Sequence, residues 1–265
     1  MNQHMPPDEY TQFYGAKRTT DYAGRLRLRR PEQHSWHDRL RRFIERYGLK
    51  DKKCLEIGAG HGVFQDCVED YSGTDIAPEL SAYFHKRYRA ARDGVYPFDD
   101  GEFDAIWTIA TYEHIPNLDQ ALEEIHRLLK PGGVLFFAPA WQCRPWAPGG
   151  YARRPYSELN LRGKLIKAAI PLRESLPYRL AHIMPKRICR HLRFLLGRRY
   201  RTMKCRKLQP NYDVHWTSDS DACNHMDPHD AILWFESNGF ECLSHPLHLR
   251  AIMVRSGALE FVKIS

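Results

Sequence analysis

Glu56 closes the apolar segment KCLEI and is followed at once by Gly58-Ala59-Gly60-His61-Gly62. Residues without side chains let backbone come close to a ligand, and open α/β sheets bind their ligands in crevices outside the carboxyl ends of strands. The spacing is GxGxG, and Val63 stands where a dinucleotide fingerprint would carry its third glycine, which disfavours a nicotinamide or flavin dinucleotide. Asp75 ends a second strand, a position from which a carboxylate can accept both hydroxyls of a ribose. Asp93-Gly94 sets a carboxylate beside a free N–H, a pair able to bracket the amino edge of an adenine. Together these are the parts of an adenosine site, although singly Asp75 reads equally well as a turn or cap residue and Asp93 as a solvated loop charge. Tyr112, Glu113 and His114 follow a fourth strand and bring three side chains able to exchange a proton. Imidazole is the side chain best suited to moving a proton near neutral pH, so His114 leads this set, with capping or packing before Pro116 as its competing role.

The elements that must position these residues alternate along the chain. Trp36, Leu40, Phe43, Ile44 and Tyr47 form one helical stripe, with Ser35 as expected N-cap and Gly48 as the stop. A strand at 53–57, a helical stretch at 63–70, a strand ending at Asp75 and a helix over 78–91 should follow. Then come a strand at 103–109, a helix at 118–129, a KPGG turn at 130–133 and a strand at 134–139. After an interruption, a helix from Pro228 closed by Gly239 and strands near 240–244 and 250–264 complete the pattern. Strands alternating with helices imply parallel crossover units. The expected fold class is therefore α/β: a doubly wound, mostly parallel, seven-stranded Rossmann-like sheet, helices on both faces, and a basic, mainly helical insertion after the fifth strand.

A chain of 265 residues suffices for one such domain with an elaboration, and 43% hydrophobic against 27% charged residues is a globular balance. The longest apolar run, Val134 to Trp141, is far short of the roughly 20 residues of a membrane-spanning helix. The N-terminus MNQHMPPDEY lacks the basic and apolar segments of a secretory signal, so a cytoplasmic location is expected, including the inner face of the membrane. Seven cysteines with no CxxC pair read as free thiols rather than disulfides or a zinc site. His215, Asp219, Asp221, His225, Asp227 and His229 include good metal-ligand types, but their irregular spacing favours capping and surface roles, and no metal is expected.

Four ordered segments, LEIGAGHG at 55–62, GTDIAPEL at 73–80, YPFDDGEFDAIWTIATYEHI at 96–115 and LEEIHRLLKPGGVLFFAPA at 122–140, make the sequence resemble the class I S-adenosylmethionine-dependent methyltransferases, particularly the small-molecule branch. The resemblance covers roughly 40–145 and resumes at about 227–264. It implies S-adenosylmethionine as cofactor, with Glu56 orienting the methionine ammonium, Gly58, Ala59, Gly60 and Gly62 passing beneath it, and Asp75 with Ile76 at the ribose. It also implies Asp93 and Gly94 at the adenine, and Ile109 and Ala110 offering backbone to the methionine end. Only 12 residues separate Gly62 from Asp75, fewer than is usual there. The Asn/Asp-Pro-Pro-Tyr/Phe motif of base amino methyltransferases is replaced by TIATYEH, which argues against N6-adenine or N4-cytosine methylation.

Between Arg144 and Pro210 lie 18 Lys and Arg against Glu158 and Glu174, a surplus of 16, twice the net charge of +8 of the whole chain. The remainder is therefore net acidic. Helices are expected at 157–170 and 185–196, the second with Ile188, Leu192 and Leu195 on one stripe. Three readings compete for this segment: a solvated lid, a grip on RNA phosphates, and peripheral contact with an anionic membrane that admits a lipid-linked acceptor. Trp141, Trp146, Tyr151 and Tyr156 would wall an acceptor pocket or join the core. The expected organisation is an arm or lid at 1–34, a cofactor-binding core at 35–143, an acceptor cap at 144–212 and the rest of the core at 213–265. The expected activity is methyl transfer to a small-molecule or lipid-linked, including glycan, acceptor, with a hydroxyl favoured. RNA methylation and a non-catalytic S-adenosylmethionine-binding regulator are the alternatives.

Overall fold

The computed structural model describes residues 13–14, 30–92, 94–212 and 219–264. Seven strands form one sheet: β1 (Lys53–Ile57), β2 (Asp70–Asp75), β3 (Arg87–Ala90), β4 (Phe103–Ile109), β5 (Leu129–Ala138), β8 (Phe240–Cys242) and β9 (Leu259–Lys263). Their spatial order is β3-β2-β1-β4-β5-β9-β8. The first five run parallel, whereas β9 lies antiparallel to both β5 and β8. The order reverses between β1 and β4, so the carboxyl ends of those two strands flank the crevice where an open sheet binds ligands.

Alternation along the central strands covers both faces. Leu55, Ile57, Ile106, Leu135 and Phe137 point into one core, shared with α2 (Leu118–Leu128) and α6 (Pro228–Ser237). Cys54, Ala105, Trp107, Val134 and Phe136 point into the other, closed by α1 (His37–Arg46) through Leu40, Phe43 and Ile44. The apolar positions of α2 recur at 118, 121, 122, 125 and 128, the period that buries one side of a helix. Pro228 suits the first turn of α6, the Asp227 carboxylate accepts the N–H of His229 at 2.9 Å, and Gly239 leaves the helix at φ +84°.

Several expectations are corrected. Residues 60–69 form successive turns instead of the helix expected at 63–70, because the short connection to β2 leaves little room for one. The helix expected over 78–91 is a 3-10 turn, Pro78–Tyr83, followed by the edge strand β3. KPGG belongs to the long β5 rather than a turn before it. The strand expected over 250–264 is divided into α7 (His248–Met253) and β9. Ser35 does not cap α1, which starts after Trp36 without a side-chain cap.

The insertion folds as three helices, one more than expected: α3 (Leu161–Glu174), α4 (Leu176–His182) and α5 (Met184–Leu195). Asn160 caps α3 and Ser175 caps α4 through their side chains, at Gly163 N and Tyr178 N. The chain returns through a two-stranded ribbon, β6 (Cys205–Lys207) with β7 (Asn224–Met226). No helix among the described residues is long and apolar enough to cross a membrane.

Candidate functional site

The turn after β1 is held against β2 by its backbone: the N–H groups of Gly58 and Ala59 both donate to Thr74 O, at 2.9 and 3.0 Å. Gly60 N donates to one carboxylate oxygen of Asp75 at 3.0 Å and Ile76 N to the other at 2.8 Å. Asp75 is thereby fixed in orientation at the strand end. Gly58, Gly60 and Gly62 all take positive φ, at +77°, +54° and +68°. At Gly58 a Cβ would lie 2.0 Å from Thr111 Oγ1, so no side chain fits. Ala110, after β4, also has positive φ, at +49°, and its N–H donates to Ala138 O.

Between these loops lies a cavity lined by Tyr14, Ile57, Gly58, Asp75, Ile76, Ala91, Tyr96, Ala110, Thr111, His114 and Ile115. It gathers the expected residues Gly58, Asp75, Ile76, Ala110 and His114 in one place. Ala59, Gly60 and Gly62 build the turn behind it, Ile109 ends β4 beneath it, and Gly94 lies near Gln120. Asp93 lies outside the described residues. Glu56 is 4% exposed, accepts the Tyr71 O–H at 2.6 Å and is pushed up by burial to about 8. A larger cavity lined by Glu123, His126, Arg201, Trp234 and Asn238 opens near the amino end of β8, away from the strand ends that carry these residues.

Residues 55–137 match the family model described as a methyltransferase domain. Over that segment the chain is similar to S-adenosylmethionine-dependent methyltransferases. A sterol 4-C-methyltransferase of Caenorhabditis elegans is 34% identical over 95 residues, which are 30% of this chain and 28% of that protein. A ubiquinone biosynthesis O-methyltransferase of Pseudomonas aeruginosa is 29% identical over 133 residues, 40% of this chain and 57% of that one. Among solved structures, an S-adenosylmethionine-dependent methyltransferase from Mesorhizobium loti aligns with a TM-score of 0.38 at 15% identity, over 43% of this chain and 56% of that one. The chain spans from about a quarter to just over half the length of these two curated relatives.

The methyltransferase domain's own residues fit S-adenosylmethionine, the cofactor of that family. A bare-backbone turn and an oriented Asp75 carboxylate share one cavity wall at the switch point of the sheet. The loop 111–116, which borders the cavity, is held by the ribbon strand β7 and the residue before it. Asn224, fully buried, donates through Nδ2 to Tyr112 O and Ile115 O, while the N–H groups of Cys223 and Asn224 donate to Glu113 O.

Within that loop the three expected catalytic candidates part company. Tyr112 turns into the core: its ring is fully buried, its O–H donates to Ala121 O at 3.0 Å, and burial pushes its pKa well above the usual phenol value. Glu113 is fully buried, and burial likewise raises its carboxyl. His114 faces the cavity, with Nε2 3.6 Å from Glu113 Oε1 and Nδ1 3.8 Å from Asp221 Oδ1. The Tyr14 O–H donates to the other oxygen of Asp221 at 3.0 Å, and its ring meets His114 edge-on.

Sequence reasoning missed Asp221, Asp219 and Asn224 as parts of this site. Glu113, His114 and Asp219 come close enough together to hold an ion, a grouping the irregular spacing of the six metal-type residues concealed. The other members of that six are dispersed. Asp227 caps α6, His225 bonds Cys143 O, His229 packs against His191, and His215 lies outside the described residues. The four aromatics read as pocket wall or core are dispersed, with Trp146 half-buried. Trp141 packs on the core and donates to Gly257 O, Tyr151 sits against Gly149 and Gly163, and Tyr156 is exposed.

Proposed function

We propose that this protein transfers a methyl group from S-adenosylmethionine to a hydroxyl of a small-molecule or lipid-linked acceptor. The observation that carries the reading is the convergence of the glycine turn, Asp75 and His114 on one cavity. In this reading Gly58, Ala59, Gly60 and Gly62 bring bare backbone to the cofactor, Asp75 takes the ribose hydroxyls, and Glu56 answers the methionine ammonium. Asp93, Gly94 and Ile76 bound the adenosine end, and Ile109 and Ala110 supply backbone at the methionine end. When bound, the cofactor supplies a sulfonium-activated methyl carbon.

The chain's part is alignment and proton removal. His114 takes the acceptor's proton on its imidazole ring. The carboxyl groups of Glu113 and Asp221 flank the ring and orient it. Tyr14, holding Asp221 from the N-terminal arm, helps close the cavity. The sterol and quinone methyltransferases among the relatives support an apolar acceptor, and the basic cap supports one presented at an anionic membrane.

His114→Ala should lower kcat by about a hundredfold or more and leave S-adenosylmethionine affinity nearly unchanged. Turnover is read as S-adenosylhomocysteine released in a cell extract and affinity by calorimetry. Full turnover in the variant would remove His114 from its role. Cofactor binding with no release by the parent chain would leave the regulator reading standing.

A further inference from the structure

The cap wears its polarity inside out. In α5 the residues turned toward the core are Arg187 and His191, 3% and 2% exposed, while Ile188, Leu192 and Leu195 are 44%, 54% and 50% exposed. At about 100° per residue these three fall within an arc of roughly 60°, one stripe on the outward side. Leu161, Leu165 and Leu172 of α3 fall within about 40° of one another by the same reckoning. All three are more than half exposed, and Leu176 and Leu180 of α4 are exposed as well. A surface helix ordinarily does the reverse.

Buried polar contacts lock this orientation in place. Arg187 pairs with Asp227 at 2.8 Å and donates to the carbonyls of Ile252 and Val254. Arg190 pairs with Asp230 at 2.7 Å, and His191 bridges His229 and His248. Turning α5 to bury its leucines would break all of these at once. Around the apolar stripes stand Arg162, Lys164, Arg173, Lys186, Arg193 and Arg198, every one exposed.

We propose that α3, α4 and α5 form a docking face for an anionic phospholipid bilayer. The leucines and Ile188 enter the boundary between headgroups and acyl chains, and the Lys and Arg side chains take the phosphates. Charge selects this occupant. A second copy would set one surplus of 16 positive charges against another. RNA would satisfy the cations and leave the leucines in water, whereas an anionic bilayer satisfies both. The cap follows the carboxyl end of β5, so docking would bring the cavity edge of the sheet toward the lipid. The proposal does not depend on the methyl-transfer reading, because lipid binding needs no turnover.

The test is sedimentation of the full chain with phosphatidylcholine vesicles, with and without roughly one third phosphatidylglycerol, over a salt series. The parent chain should bind the anionic vesicles at least about tenfold better than the neutral ones. Ile188→Ser with Leu192→Ser and Leu195→Ser should lose about tenfold of that binding while S-adenosylmethionine affinity stays unchanged, which shows the fold intact. Lys186→Gln with Arg193→Gln and Arg198→Gln should lose a similar amount. Failure of the parent chain to bind anionic vesicles would overturn the proposal. So would serine variants that bind as the parent does, RNA retention indifferent to the apolar stripe, or a dimer in sedimentation velocity that the serine variants abolish.

Discussion

Gly58 and Glu56 sit two residues apart and constrain the site in different ways. At Gly58 any side chain meets Thr111 and also has to adopt φ +77°. Gly58→Ala should therefore weaken S-adenosylmethionine binding by about tenfold or more, and adding Thr111→Gly should recover part of the loss, since only the clash and not the backbone strain is relieved. Calorimetry on the two proteins checks this. For Glu56 the prediction concerns pH. The unfolded chain ionises this carboxyl near 4.3, whereas the folded chain keeps its proton to about 8. Stability from this group is therefore intact at acid pH and falls as pH rises through that window, by up to about 5 kcal/mol. Glu56→Gln should flatten the fall between pH 5 and 8 in urea unfolding while retaining an acceptor for Tyr71. The same substitution should weaken cofactor binding if the carboxylate answers the ammonium.

At the scale of elements, Arg187 makes more of the polar contacts that seat α5 than Arg190 or His191 does. Arg187→Met would leave the Asp227 carboxylate without its cation and two backbone carbonyls without their donor, and should cost about 3 to 5 kcal/mol in urea unfolding. Leu192→Ser, on the outward side, should stay within about 0.5 kcal/mol of the parent. Equal costs at the two positions would mean that the helix is turned the other way. The stripe of α5 was legible as a period, but not the side it faces, because periodicity gives the angle between residues and not the partner of either face. The same distinction separates what else could be read. Helices α1 and α2 and strands β1 and β4 carry apolar positions at spacings that only one element type satisfies. Strand β3 is RYRA at a sheet edge, only partly covered, so it has no apolar run to announce it. The glycine turn and Asp75 could be located because they follow their strands directly. Asp219, Asp221 and Asn224 lie over 100 residues from His114, and no local pattern marks a contact across that distance.

Across the whole molecule, the sheet carries the residues proposed to meet the cofactor and the segment 144–210 carries the surplus positive charge, which separates two behaviours in salt. Raising ionic strength should release the chain from anionic surfaces and leave S-adenosylmethionine affinity almost unchanged, as titrations at two salt concentrations would reveal. The seating of β9 has a further consequence, for the order in which the chain can fold as it is synthesised. β9 follows β8 in sequence, yet it lies between β5 and β8 in space. Until it emerges from the ribosome, β8 has no place to pair and β5 is an open edge whose residues Val134 to Ala138 are all apolar. A nascent chain stalled before residue 259 would thus hold its glycine turn and its first five strands beside an unfinished flank. Such a flank can recruit a strand from a neighbouring chain, so stretches of slow translation just ahead of β9 should favour aggregation during synthesis.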